Sequence, residues 1–212
     1  MVDGGLLHHK KKQRDMPMRK QTTLPGATMT APDTKSWKLG EAVESADGDV
    51  KTYPLTSGGV DITLTMHSCL VPFNASSLND GARKSLTVRV PNIWEDAFES
   101  MDSDIVALAV ANSVKIFGGP FSEDDLRGRY KPMSQKAGNY PRQLRAKLVT
   151  EGFYACRCWD SEKRRIESVT SHAGGVYSIV LKLRGLWVSA ESFGIVCDIT
   201  DLQTVEVAAC PF

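Results

Sequence analysis

Residues 127–165 read RGRYKPMSQKAGNYPRQLRAKLVTEGFYACRCWDSEKRR and hold eleven Lys or Arg against three Asp or Glu. The cations Arg127, Arg129, Lys131, Lys136, Arg142, Arg145, Lys147, Arg157, Lys163, Arg164 and Arg165 are interleaved with Tyr130, Tyr140, Phe153, Tyr154 and Trp159. Spaced cations follow a phosphate backbone, and aromatic faces accept unpaired bases. A stacked base is worth about 1–3 kcal/mol whatever its identity. Bases inside a duplex are not free to stack on protein, so the pattern fits single strands better than duplex readout. The candidate contacts are Tyr130, Lys131, Tyr140, Arg142, Arg145, Lys147, Phe153, Arg157, Trp159, Lys163, Arg164 and Arg165, joined downstream by Lys182 and Arg184. The competing reading is a solvated strand face with incidental charge, its aromatics belonging to the core.

Other chemistries find less support. Cys156-x-Cys158 and His67-x-Cys69 bring potential metal ligands to adjacent strand positions, but C-x-C is not the C-x2–4-C spacing of structural zinc sites. Core thiols and a satisfied histidine are expected, with no metal and no cofactor. Glu95–Asp96 and Glu123–Asp124–Asp125 stand at helix starts, where carboxylates complement the helix dipole. GxSxG, HExxH, a Walker loop and GxGxxG are all missing from the sequence, and no catalytic residue is assigned. A non-enzymatic protein is expected.

The elements that must carry these residues are mostly strands. Val60, Ile62, Leu64 and Met66 alternate with Asp61, Thr63, Thr65 and His67 from a glycine turn at Gly58–Gly59. That period of two, with β-branched residues, predicts a half-buried strand. The segment before the turn (VKTYPLTSGG) and RKSLTVRV after it predict two more, the latter stopped by Pro91. Asn92 with Glu95 has the spacing of a capping box, and Ile105, Leu108, Ala109, Asn112 and Ile116 follow helical spacing. One long helix or two short ones is predicted, ending at Gly118–Gly119–Pro120. Residues 121–141 read as a long ordered loop. RQLRAKLV, FYACRCW and the two segments of residues 174–207 read as strands, with a bulge at Glu151–Gly152. In FYACRCW, period two sets Phe153, Ala155, Arg157 and Trp159 on one face and Tyr154, Cys156 and Cys158 on the other.

A net charge of +1 hides a strong partition. Residues 1–35 carry seven Lys/Arg and three Asp/Glu, residues 36–126 six and fourteen, and residues 166–212 two and five. The distribution, rather than the average, is what attracts a polyanion. Residues 1–35, with HHKKKQRD and no apolar period, predict a disordered basic arm, and 36–212 one domain. No apolar run approaches the ~18–20 residues of a membrane span, and the start lacks a signal-peptide core. With an odd five cysteines, these features point to reduced thiols and an intracellular location, cytoplasmic or nuclear.

The segment LRGLWVSAESFGIVCDITDLQTVEV resembles the C-terminal hairpin of OB-fold single-stranded DNA-binding proteins of bacteriophages and large eukaryotic DNA viruses. The matching features are Trp187, Gly194, Leu202, Gln203, Val205 and Val207, and CRCWDSEKRR is similar to the turn before the penultimate strand of that group. The resemblance covers residues 142–207. It implies cooperative, sequence-tolerant coating of unpaired DNA in replication, contacts with replication partners, and a location in a virus's host cell. Such proteins often carry an acidic C-terminal tail ending in an aromatic; here TVEVAACPF ends in Phe212 but holds only Glu206.

The fold expected is mainly β, an OB-fold-like Greek-key β-barrel with one helical insertion between strands three and four. The expected partner is single-stranded DNA, with RNA as an alternative. Replication proteins and a second copy of the chain are further expected partners, and no membrane. A β-sandwich virion protein packaging genome through the basic arm is the second class considered.

Overall fold

A computed structural model describes residues 32–45, 48–77, 83–136 and 138–206. Most of the expected arm, residues 1–31, lies outside them. From Asp33 the chain is already tied to the fold: Thr34 Oγ1 donates to Asp104 Oδ2 at 2.7 Å.

Among the described residues, thirteen strands join one sheet. They are β1 (Trp37–Leu39), β2 (Val43–Glu44), β3 (Lys51–Ser57), β4 (Val60–Leu70), β5 (Ser76–Ser77), β6 (Arg83–Arg89), β7 (Tyr130–Lys131), β8 (Ser134–Gln135), β9 (Gln143–Val149), β10 (Arg157–Trp159), β11 (Arg165–Ile166), β12 (Val176–Val188) and β13 (Phe193–Thr204). The main path runs β1-β3-β4-β12-β13-β9-β6-β5. Neighbours along it are antiparallel except β13 and β9, which run parallel at Asp198–Lys147 and Ile199–Leu148. β10 continues beside β13 where β9 leaves off, also parallel, with Arg157 opposite Asp201.

The alternation in β4 and β9 sets the inner face. Ile62, Leu64 and Met66 meet Leu144, Ala146, Leu148, Leu181, Leu183 and Ile199 in one core. Period two places Lys147 opposite in sense to Leu148, and Asp198 opposite to Ile199, on the outer face. Register shifts at Val180/Leu181 and Leu183/Gly185 mark bulges in the long β12–β13 ladder. Leu202 and Ile179 return to the core after the first bulge, so their neighbours Asp201 and Val180 stay on the outer face.

Helix α1 (Glu95–Ala111) buries Phe98, Met101, Ile105, Val106 and Ala109, and α2 (Ser113–Phe117) buries Ile116. The chain therefore forms two helices rather than one, separated at Asn112, and Gly118 ends the second at φ 78. Tyr53 on β3 closes the end of α2 by donating its hydroxyl to Lys115 O and Ile116 O at 3.1 and 3.3 Å.

Three local expectations are corrected. The Asn92–Glu95 capping box does not form: residues 92–94 make a 3-10 turn, and Trp94 leads into α1 without a side-chain cap. The predicted loop 121–141 contains helix α3 (Glu123–Arg129), β7 and β8; Ser122 and Asp125 supply the capping box that its sequence carries. The strand expected from Phe153 begins only at Arg157. Residues 150–156 form instead a tight excursion between β9 and β10, turned at Gly152 (φ 82) and closed where Cys156 N–H donates to Val149 O at 2.8 Å. Phe153 and Tyr154 thus both project from a turn, rather than alternating across a strand.

Candidate nucleic-acid interface

The outer face of β12, β13 and the β9–β10 pair gathers cations and aromatics into one band. Register gives its rows. Trp159 lies beside Gln203, Arg157 beside Asp201, and Lys147 beside Asp198, which faces Lys182. From Gln203 to Gly194 the band runs roughly 30 Å at the usual strand rise.

The central row opens into a groove of about 600 Å3 lined by Lys147, Lys182, Arg184, Tyr154, Asp61 and Asp198, with Val43, Thr52, Pro54, Val149 and Val196. Lys182 and Arg184 are held by its own acids. Lys182 Nζ contacts Asp61 Oδ2, and Arg184 Nη1 lies 3.5 Å from Asp198 Oδ2. The Arg184 guanidinium also lies 5.8 Å from the Tyr154 ring centroid. Tyr154 is 62 % exposed and meets Phe153 edge-on at 5.2 Å. The excursion at 150–156 is what lifts this aromatic pair beside the groove.

Toward one end, Trp187 pairs across the ladder with Gly194. A Cβ on Gly194 would lie 2.9 Å from Trp187 Nε1 and 2.9 Å from Lys131 O. The glycine therefore lets the indole lie against the β13 backbone. A second cavity of about 600 Å3 joins Trp187 to Arg145, Thr87, Lys131, Gln135 and Gln143. Arg145 is steadied by donating Nε–H to Ser85 Oγ at 2.5 Å.

Toward the other end, Arg157 and Trp159 share Asp201. Arg157 Nη2 donates to Oδ2 at 2.7 Å, and Trp159 Nε1 donates to Oδ1 at 3.2 Å. The side chains of Arg157 and Asp201 are only 15 % and 3 % exposed. Arg165 lies over the Trp159 ring at 5.7 Å. In the turn beyond, Arg164 pairs with Asp160 and Glu162 at 2.7 and 3.0 Å. The Arg164 backbone N–H, and then its side chain, hold the Asp160 carboxyl below its ordinary value. Lys163 takes the left-handed conformation, φ 65, in the same turn.

The structure thus brings Lys147, Arg157, Trp159, Lys182 and Arg184 to one face, with Arg145 and Lys131 at its end. Three other expected residues are placed differently. Tyr130 is buried, donating its hydroxyl to Asp102 Oδ1 at 2.6 Å. Met133 N–H donates to the same oxygen at 3.1 Å, and burial raises the Asp102 carboxyl above its usual range. Burial and the Asp102 charge also raise Tyr130. Arg142 contacts Glu99 and reaches Ser134 O at 3.3 Å, so it braces α1 against β8. Tyr140 is exposed, in the loop before β9. The candidate contacts read from sequence leave out Tyr154 and Trp187, which the structure places on this band. Sequence alternation sets Tyr154 on the thiol side of a strand that is a turn, and Trp187 enters only as a feature of the resemblance; its spacing from Gly194 was the available signal.

Behind the band, Cys156 and Cys158 face the core. The Cys156 thiol hydrogen-bonds Cys158 and pulls it down to about 7, and that contact with burial pushes Cys156 well above its ordinary value. His67 Nδ1 lies 3.0 Å from Ser178 Oγ, and Cys69 Sγ donates to His67 O at 3.8 Å.

A family model matches residues 74–210, more than half of the chain and all of the band except its β3–β4 side. The chain belongs to a family of unknown function, DUF5871. No curated protein matches it. Among solved structures, this family member is similar to the single-stranded DNA-binding protein of bacteriophage Enc34 in complex with ssDNA, at 13 % identity and a TM-score of 0.44, covering 82 % of this chain and 99 % of that one. It is also similar to gp2.5, a single-stranded DNA-binding protein encoded by bacteriophage T7, at 15 % identity and a TM-score of 0.46, covering 72 % of this chain and 91 % of that one. Among the described residues, no helix is long and apolar enough to cross a membrane.

Proposed function

We propose that this chain binds single-stranded DNA along the outer band, by phosphate contacts and base stacking and without catalytic turnover, in viral DNA replication or recombination. One observation carries the reading: Lys147, Lys182 and Arg184 converge with exposed Tyr154 on a single open groove of about 600 Å3. Arg145, Lys131 and Trp187 at one end, and Arg157 and Trp159 at the other, extend the same face to the length of several nucleotides. Site sizes of about 4–16 nucleotides per OB fold are in that range. A band that presents half-buried rings between cations suits unstacked bases, whereas a duplex would offer it only backbone.

The scaffold belongs to the same proposal. The ladders run continuously along β4-β12-β13-β9-β6; closing β6 onto β4, which no ladder pairs among the described residues, would give the connectivity of a five-stranded OB-type Greek-key barrel. The parallel β9–β13 pairing supports this reading, as does β5, which follows β4 and pairs with β6 where such a barrel would close. The helices fall between β6 and β9. That is after the third long strand counted from β3, and after the second of these five. Replication proteins, implied by the resemblance, and a second copy of the chain are its further proposed partners.

Anisotropy titration with labelled single-stranded DNA, matched duplex and matched RNA tests the reading. Single-stranded DNA is expected to bind more tightly than duplex. Preference for RNA would move the function to the RNA-binding alternative.

A further inference from the structure

We propose that the cavity at the Trp187 end of the band seats one base of the strand and holds its Watson–Crick edge with the amides of Gln135 and Gln143, without choosing among the four bases. This inference rests on the single-strand reading above and deepens it. The two glutamines are Cα partners across β8 and β9, so their side chains leave the same face of the sheet. Arg145, two residues beyond Gln143, shares that face. All three line the cavity of about 600 Å3 that also holds Trp187 and Lys131. Two features separate it from the central groove. No Asp or Glu lines it, whereas Asp61 and Asp198 line the groove. Among the described residues, neither glutamine amide has a hydrogen-bond partner, so both are open to a ligand.

The lining suits a base. Trp187, Met133 and Ile195 give apolar walls, and Lys131 and Arg145 supply charge for the flanking phosphates. A pocket of mostly apolar walls with a few polar groups is the usual form of a small-ligand site, and this volume holds a nucleoside with room to spare. A carboxamide sets a donor beside an acceptor. So does the Watson–Crick edge of every base: N3–H beside a carbonyl in thymine, N4–H beside N3 in cytosine, N6–H beside N1 in adenine, N1–H beside O6 in guanine. Turned over about its last bond, the amide meets either order. A carboxylate accepts only, and would sort the bases by their donors. Amides in an acid-free cavity hold the edge of whichever base arrives, which adds affinity that stacking alone does not supply and keeps the binding tolerant of sequence.

The full chain, Gln135→Met, Gln143→Met and the double variant are titrated by anisotropy with labelled 20-mers of thymidine, deoxycytidine and N3-methylthymidine. The last keeps ring and phosphates but loses the N3–H donor. The parent is expected to bind thymidine and deoxycytidine strands within about threefold of each other, and the methylated strand at least about fivefold more weakly than thymidine, the scale of one net hydrogen bond. The double variant is expected to bind the thymidine and methylated strands alike, and each single variant to narrow the gap. Gln135 is exposed and Gln143 half-buried, so methionine, of similar length, is accommodated at both. A larger preference between thymidine and deoxycytidine overturns the tolerance. Equal binding of thymidine and methylated strands by the parent, or a gap unchanged in the double variant, overturns the amide site and leaves single-strand binding standing. Binding of none of the strands at low salt overturns both.

Discussion

Asp201 determines what Arg157 and Trp159 can do. It is a nearly buried carboxylate whose partners are Arg157 and the indole N–H of Trp159. Removing one partner of a buried pair leaves the other uncompensated, and the usual cost is about 3–5 kcal/mol. Arg157→Ala is expected to lose about 3 kcal/mol in urea unfolding. Trp159→Phe keeps a ring but drops the hydrogen bond, so about 1 kcal/mol is expected. An Arg157→Ala protein as stable as the parent would show that the pair does not hold β10 to β13. Cys158 supplies a second residue-scale test. Its thiol is drawn to about 7 by the Cys156 hydrogen bond, so thiolate absorbance should rise through about pH 7, and through a higher pH in Cys156→Ala. From sequence, the cations and aromatics of residues 142–165 were legible as a set, because their types alone announce their chemistry. What each one does was not. Nothing local marks Asp201, some forty positions downstream, as the acceptor that engages both Arg157 and Trp159, nor Asp102 as the partner of Tyr130.

At the scale of elements, two glycines fix how close strands and rings can come. A Cβ on Gly185 would lie 2.4 Å from Tyr53 O, a backbone atom of β3 that cannot swing away. Gly185→Ala should therefore push β12 from β3 and cost about 1–3 kcal/mol or more. On Gly194 the same Cβ meets the Trp187 ring at 2.9 Å. Gly194→Ala should displace the indole, read as a shift in tryptophan emission, and weaken single-strand binding with it. If emission and binding are unchanged, Trp187 is not a stacking surface. The alternation of β4 and β9 was readable because one face of each meets the core while the other meets solvent. The bulges of β12 and β13 were not: a register shift leaves the apolar count unchanged and depends on the partner strand. The 150–156 excursion was misread for a related reason. FYACRCW keeps a period of two through its apolar residues, yet Gly152 at positive φ and the Cys156–Val149 hydrogen bond turn the backbone there. Helix α3 was hidden in what read as a loop, although Ser122 and Asp125 spell its cap.

For the whole molecule, buried thiols give stability a pH dependence with a defined sign. Burial pushes Cys69 and Cys197 from 9.0 up to about 12. The unfolded chain therefore releases these protons at lower pH than the folded one. Their contribution is complete below about pH 9 and is lost as pH rises toward about 12. Cys158 and Cys156 shift in opposite directions through their shared hydrogen bond, one down and one up, and so offset each other in this range. Urea midpoints should hold up to about pH 9 and then fall. The decline should be shallower in a Cys69→Ala, Cys197→Ala protein than in the parent, relative to each at pH 8.

The charge partition also operates at this scale. The acid-rich segment 36–126 contributes Asp61 to the band, so cations and acids from distant segments are interleaved across it rather than separated. The band accordingly should act through exchange of carboxylate for phosphate, a contact that salt weakens strongly.

The most direct test of the central claim is the salt dependence of single-stranded DNA affinity, measured by anisotropy on the full chain and on Lys147→Gln, Lys182→Gln and their combination. If Lys131, Arg145, Lys147, Lys182 and Arg184 contact about four or five phosphates, the slope of log affinity against log salt is about −3, with each substitution reducing it by about 0.7. A slope near zero, or a double variant whose affinity and slope match the parent's, would contradict single-strand binding along this face.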